Sequence, residues 1–263
     1  MNSDSDSVSV DLDLALEVAR EAARNASEIA LKYFREPLEI ERKDDASPVT
    51  VADRECEIEI RRVIETAFPD HAVFGEEYGQ SGEHRCLWLI DPIDGTRSFI
   101  RGLEFWSVQI ALMVDGELVL GVSAAPSFDE TAWAVRGRGA RLDGRPLECA
   151  TTDTLEQMDV SLGNVRTLAR SAGWQRIGKL VEAAARTRGY GDFYPYHRLA
   201  AGGLDAVVES DINILDIAAL TVIVREAGGV VTELGGGAID LESTTILAAA
   251  PALHGRLVSF LDD

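Results

Sequence analysis

Residues 86–99 read CLWLIDPIDGTRSF. Cys86–Ile90 is an unbroken apolar run of strand length, the pattern of a strand buried on both faces. Pro92 carries no N–H to donate to a ladder, so the strand is expected to end at Asp91. A second carboxylate follows at Asp94, and Gly95-Thr96 open a helix. Two carboxylates three residues apart at a strand's end can both point into one crevice. Oxygen-only ligands of this kind suit a hard cation such as Mg²⁺ rather than zinc, with the carbonyl of Ile93 as a further ligand. The Gly95 and Thr96 amides, at a helix start, would form an anion site. A cation site beside an anion site describes a phosphate-processing centre. The plainer reading, an Asp-Pro turn followed by an aspartate cap on a helix, stands beside it.

Upstream of this stretch, apolar residues recur at helical spacing from Asp11 to Glu36, where Pro37 stops the helix. A second helix starts near Thr50 and runs until Pro69. Downstream, Val108–Val114 and Leu118–Ala124 flank Asp115-Gly116, and Thr131–Arg136 precedes another Asp-Gly at 143–144. These are hairpin signals. Residues 11–147 therefore read as an α+β half, two helices against a largely antiparallel sheet. From 148 to 263 strand and helix alternate, the mark of an α/β half completing the site. Strands are expected at Asp159–Leu162, Arg188–Tyr190, Ala206–Glu209 and Thr245–Ala249. Helices are expected over Trp174–Arg186, Tyr196–Ala201, Asp216–Ala227 and from about Ala252. Residues 1–10 read as a solvated, flexible tail.

Composition narrows the function. The 263 residues carry 25 Lys and Arg against 45 Asp and Glu, a net charge of −20. Such a chain repels phosphate polymers and anionic lipid, so neither nucleic acid nor membrane is an expected partner. Three separated cysteines argue against a disulfide framework and for a reducing, cytoplasmic setting. No secretory leader and no membrane-spanning run is read from the sequence.

Three other stretches carry carboxylates that invite chemistry. Phe74-Gly75-Glu76-Glu77 ends an apolar run, though adjacent glutamates are ordinarily a solvated face. Thr50-Val-Ala-Asp53 has the capping-box pattern; its functional reading is a threonine and an aspartate that orient a water. Asp216 opens an apolar helix, either as its N-cap or as a metal-binding carboxylate. The four histidines, His71, His84, His197 and His254, stand isolated in the sequence, so no zinc site is expected.

Together, Asp91-Pro-Ile-Asp-Gly-Thr-Arg-Ser-Phe99, Gly75-Glu76-Glu77 ahead of it, Asp216-Ile-Ala-Ala and Glu226-Ala-Gly-Gly229 resemble the signatures of the inositol monophosphatase family. The likeness runs from about residue 12 to the C-terminus. It implies a layered α-β-α-β-α sandwich and a Mg²⁺-dependent phosphomonoesterase holding two or three ions, with Mn²⁺ as an alternative. By this resemblance Glu76, Asp91 and the Ile93 carbonyl would hold one ion. Asp91, Asp94 and Asp216 would hold a second, with Glu76 helping to hold a third. Gly95 and Thr96 would bind phosphate through their amides. Asp53 and Thr96 would polarise the attacking water, so that these two and Glu76 count as catalytic.

Within the family, Arg188-Gly-Tyr-Gly-Asp192-Phe-Tyr-Pro-Tyr196 and Ser98-Phe-Ile-Arg-Gly102 resemble the histidinol-phosphate phosphatase branch. Asp192 would pair with a cationic substrate, and Glu209 matches a substrate-contact position. The implied substrate is a small phosphate monoester, first histidinol phosphate; inositol monophosphate or a broader sugar-phosphate range is the alternative. A homodimer is also implied. A non-enzymatic alternative is a divalent-ion-binding regulatory protein, for which Thr50, Asp53 and Thr96 would be superfluous. Leu215 departs from the aromatic residue that often precedes the metal aspartate, and Arg97 and His197 receive no role.

Overall fold

The structure, a computed structural model, describes residues 10–36, 41–42 and 48–262. Residues 1–9 of the expected tail and the Pro37 stop lie outside this range. Helix α1 spans Leu12–Tyr33, capped by Asp11, whose side chain accepts from the Asp13 and Leu14 amides. Helix α2 spans Val51–Ala67. Ala15, Ala19, Ala22 and Ala26 of α1, and Ala52, Cys56, Ile60 and Ile64 of α2, line their buried faces. The small side chains let the two helices approach closely. A short antiparallel pair, β1 (Glu41–Arg42) and β2 (Pro48–Val49), joins them.

The first sheet has eight strands: β3 (Ala72–Gly75), β4 (Gly79–Ser81), β5 (Cys86–Asp94), β6 (Ser107–Val114), β7 (Glu117–Ala125), β8 (Glu130–Val135), β9 (Ala140–Leu142) and β10 (Arg145–Pro146), in the order β10-β9-β8-β7-β6-β5-β3-β4. All neighbours are antiparallel except β3 and β5. The expected Asp-Gly hairpins are present: Asp115-Gly116 joins β6 to β7, and Asp143-Gly144 joins β9 to β10.

The expectation that Pro92 ends the central strand is corrected. Strand β5 continues to Asp94, with Asp91 opposite Gln109 and Asp94 opposite Ser107. Three steps along β5 thus match two along β6. The extra residue is a bulge that takes up the proline's missing donor without ending the strand.

The second sheet contains β11 (Asp159–Leu162), β12 (Arg186–Arg188), β13 (Ala206–Ser210), β14 (Val230–Thr232) and β15 (Thr245–Ala249), in the order β12-β11-β13-β15-β14. Only β12-β11 and β11-β13 are parallel, so the alternation read in the sequence gives a mixed sheet rather than an all-parallel one. Helices α4 (Val165–Leu168), α5 (Trp174–Ala183), α6 (Tyr194–Ala200), α7 (Ile214–Glu226) and α8 (Pro251–Asp262) complete the chain, after the one-turn α3 (Thr96–Ile100). Helix α5 ends three residues before Arg186, which sits in β12; the strand expected at Arg188–Tyr190 is therefore displaced toward its N-terminus.

Strand alternation sorts the layers. From β5, Trp88 and Ile90 face α1 and α2, whereas Leu87 and Leu89 face α6 and α7. The far side of α7 meets Val207, Ile246 and Ala248 of the second sheet, whose other face packs Val160, Val208 and Leu247 against α5 and α8. The result is the expected α-β-α-β-α order. Gly121 on β7 admits the central helix: a Cβ there would stand 2.4 Å from the Ala219 carbonyl oxygen. Glu226, at the other end of α7, accepts the amides of Gly137, Arg138 and Gly139 in the β8–β9 turn.

Gly121→Ala forces α7 off the sheet and is expected to cost about 1–3 kcal/mol, the scale of overpacking a dense core. Melting temperature should fall by about 2–4 °C for each kcal/mol in a chain of this size. An unchanged thermal unfolding curve would contradict this packing.

Candidate active site

Strand register delivers the first carboxylates. Because β3 runs parallel to β5 with Gly75 opposite Ile90, the next residues, Glu76 and Asp91, follow side by side where the β3–β5 pairing ends. The bulge then places Asp94 at the same end of β5. Asp216 comes from the opposite layer. It is not the N-cap of α7, as one sequence reading had it: Asn213 is, and Asp216 is the third residue of a capping box, its oxygens accepting from the Asn213 backbone and side-chain N–H groups at 2.8 and 3.0 Å. The carboxylates of Asp91, Asp94 and Asp216 bring one oxygen each within 4.8 Å of one another.

Burial and mutual repulsion act together on this group. Desolvation, then Glu76, Asp94 and Asp216, push the Asp91 carboxyl well above its usual range. Desolvation, then Asp192, Asp216 and Glu209, do the same to Asp94. Asp216 is pushed up to about 7, chiefly by burial and against the Asn213 backbone bond. Crowded, half-dry oxygen donors of one sign fit a hard divalent cation, whose charge would reverse all these shifts. Glu76, Asp94, Asp192, Glu209, Asp211 and Asp216 line a cavity of about 560 Å³, with Arg97 as its one basic lining residue among those described. Arg97, left without a role above, thus stands at the cavity.

Thr50 and Asp53 form the expected capping box. Thr50 caps α2 and donates its amide and hydroxyl to Asp53 Oδ2 at 2.8 and 2.6 Å. The other oxygen, Oδ1, lies 3.4 Å from the Thr96 hydroxyl, which also stands 3.1 Å from the Ile93 carbonyl. Burial raises the Asp53 pKa, opposed by the Thr50 bonds. Gly95 holds a left-handed φ of 86°, and a Cβ there would stand 2.7 Å from the Phe105 carbonyl.

Across the cavity, Asp192 is pushed up to about 6 and Glu209 to about 8, both chiefly by burial. Glu209 accepts the Tyr196 hydroxyl at 2.9 Å. The structure therefore brings the expected residues Asp53, Glu76, Asp91, Ile93, Asp94, Gly95, Thr96, Asp192, Glu209 and Asp216 to one end of the two sheets.

Sequence reasoning missed the brace behind Glu76. Glu57, fully buried one turn beyond Asp53, accepts the Glu77 amide at 2.6 Å, the Tyr78 amide at 3.2 Å and Arg61 at 2.8 Å. Arg61 in turn donates to the Gly79 carbonyl and the Ser81 hydroxyl. The available signal was the four-residue spacing of Asp53, Glu57 and Arg61 along one helix.

The isolation of the histidines is corrected for two of them. His71, His84 and Cys86 each bring a ligand-type atom within 4.8 Å of the others. Trp88 donates to His71 Nδ1 and the Cys86 amide donates to His84 Nδ1, which places each neutral ring's proton on Nε2. That leaves the all-oxygen group as the donor set fitted to a hard cation.

Residues 11–263 match the profile of the inositol monophosphatase family. The chain is 38% identical over 235 residues to the histidinol-phosphatase of Mycobacterium tuberculosis, covering 86% of this chain and 88% of that protein. It is 36% identical to the histidinol-phosphatase of Chlorobaculum parvum, over 95% of each. Among solved structures, the extragenic suppressor protein suhB of Bartonella henselae superposes with a TM-score of 0.88 at 28% identity, covering 95% of this chain and 99% of that one.

Metal removal should expose the crowding. Asp192, Asp216 and Glu209 bind protons more tightly folded than unfolded. Their contribution to stability is thus full below the ordinary carboxylate range and drains as pH rises through about 6, 7 and 8. In chelator, the wild type is expected to lose melting temperature relative to Asp216→Asn as pH rises from about 4 to about 7. Parallel pH profiles for the two proteins would contradict the shift.

Proposed function

The chain belongs to the inositol monophosphatase family of metal-dependent phosphomonoester hydrolases, and on that footing we propose that it hydrolyses histidinol phosphate to histidinol and phosphate with Mg²⁺ as its ion. Asp91, Asp94, Asp216, Glu76 and the Ile93 carbonyl would hold two or three ions, with Mn²⁺ the alternative. When bound, such ions neutralise the phosphate dianion, acidify the attacking water and stabilise the leaving alkoxide. Against a net charge of −20 and a carboxylate-lined cavity, a dianionic substrate needs that positive charge.

The chain's own groups have separate tasks. Asp53 Oδ1 and the Thr96 hydroxyl orient the water, and the burial-raised Asp53 carboxylate can accept its proton. The Gly95 and Thr96 amides would seat the phosphate. Asp192 and Glu209 face the ion-binding group without belonging to it, and this surplus of buried negative charge carries the choice of substrate. A neutral polyol could offer those carboxylates hydroxyl groups but no positive charge to balance them in a desolvated wall. The ammonium and imidazole of histidinol would pair with them. The names of the relatives support the same substrate.

As part of this reading the protein works in the cytoplasm as a homodimer, a mass that light scattering reads directly. The three cysteines are free and buried, and no described helix is long and apolar enough to cross a membrane.

Asp91→Asn is expected to cut turnover by at least about 10²-fold, the scale of losing one preorganised electrostatic element. Asp192→Ala should lower kcat/KM for histidinol phosphate by about 10–100-fold, as for a lost charge-assisted bond, while leaving inositol monophosphate unaffected. Equal losses on the two substrates would count against histidinol phosphate. Full activity of Asp91→Asn in chelator would overturn the reading of Asp91 as the ligand of a required ion.

A further inference from the structure

Strand alternation puts Ser107, Gln109, Ala111 and Met113 of β6 on the face toward α6 and α7. The last two are ordinary core residues. The first two are polar and buried, as are Ser123 of β7 and His197 of α6, none more than 1% exposed. Burying four polar side chains in an apolar layer is costly unless they satisfy one another.

They form one chain. Ser107 Oγ lies 3.1 Å from Asp94 Oδ2, Gln109 Nε2 lies 2.7 Å from Ser107 Oγ and 3.1 Å from Ser123 Oγ, and His197 Nε2 lies 2.8 Å from Ser123 Oγ. Sheet register builds it, since Asp94 is opposite Ser107 and Gln109 is opposite Ser123. At the far end His197 Nδ1 is 3.6 Å from Glu130, which Arg198 holds at 2.5 Å.

With Asp94 ionised, as a carboxylate holding a cation must be, its charge orders every proton in this row. An ionised carboxylate only accepts, so Ser107 donates to it and accepts from Gln109. The second amide N–H of Gln109 goes to Ser123, whose own proton goes to His197 Nε2, leaving the imidazole proton on Nδ1 toward Glu130. Turning the Gln109 amide over would present Oε1 to both serines and take the Ser107 proton away from Asp94.

We infer that Ser107, Gln109, Ser123 and His197 are positioning residues: through one buried hydrogen-bond chain they hold Asp94 Oδ2, so that its other oxygen is presented to the ion. The inference rests on the reading of Asp94 as a metal ligand. It gives His197, which the sequence left without a role, a function at a distance from the cavity.

Calorimetric titration of the metal-free protein with Mg²⁺ alone tests it. Ser107→Ala and Gln109→Leu should each weaken Mg²⁺ binding by about tenfold, the lower end for lost partners of a metal ligand. Gln109→Leu keeps the volume and removes the polar group, so its melting temperature should hold or rise, which a purely structural role would not combine with weaker binding. His197→Phe should weaken binding at least about twofold in the wild type and have no further effect in Ser107→Ala, because the chain is already cut. Wild-type affinity in a folded Gln109→Leu, or effects that multiply in the double variant, would overturn the inference. If Gln109→Leu does not fold, Ser123→Ala breaks the same row with a smaller change and is read in the same way. Asp94→Asn is the control: if it binds Mg²⁺ like the wild type, the metal reading itself fails, whereas loss of binding in Asp94→Asn beside wild-type affinity in the other variants rejects the chain alone.

Discussion

Like charges crowded into a poorly solvated corner repel one another, and everything at the active end of this protein is arranged around that repulsion. Asp91, Asp94 and Asp216 come from two layers of the sandwich, and each is driven toward its protonated form by burial and by its neighbours. A fold seeking stability alone would place apolar residues there. The corner makes sense when a divalent cation joins it, because the same proximity that penalises three carboxylates then becomes a ligand set.

The scaffold holds that crowding open by tying each carboxylate to a rigid element. A bulge at Pro92 lets one strand supply Asp91 and Asp94 to the same side. A parallel neighbour carries Glu76, with Glu57 and Arg61 behind it. Helix α7 is pressed between the sheets through the gap at Gly121, and Asn213 fixes its Asp216 at the tip. Remote parts of the chain thus serve the site through packing rather than through contact with a substrate.

Much of this was legible in the sequence, and the rest was not for identifiable reasons. Periodicity located α1, α2 and the β6–β7 hairpin, because helix and strand periods are local properties. The cluster Asp91, Asp94, Gly95 and Thr96 was readable because its members are neighbours in the chain. The continuation of β5 past Pro92 was not, since a bulge depends on what the partner strand offers. Nor was the start of α7 at Asn213, where a capping box displaces the apparent aspartate cap by three residues. The meeting of His71 with His84, and of His197 with Ser123, depends on pairing and layer packing, which one sequence does not encode at short range. The resemblance to a known family filled part of that gap, bringing Glu76, Asp91 and Asp216 to one destination.

The most direct measurement is the anomalous-scattering map of a crystal grown with Mn²⁺, an ion whose electrons can be located independently of the protein. A peak among the carboxylates of Asp91, Asp94 and Asp216 is the expected result. No peak there, or manganese seated instead at His71, His84 and Cys86, would contradict the account.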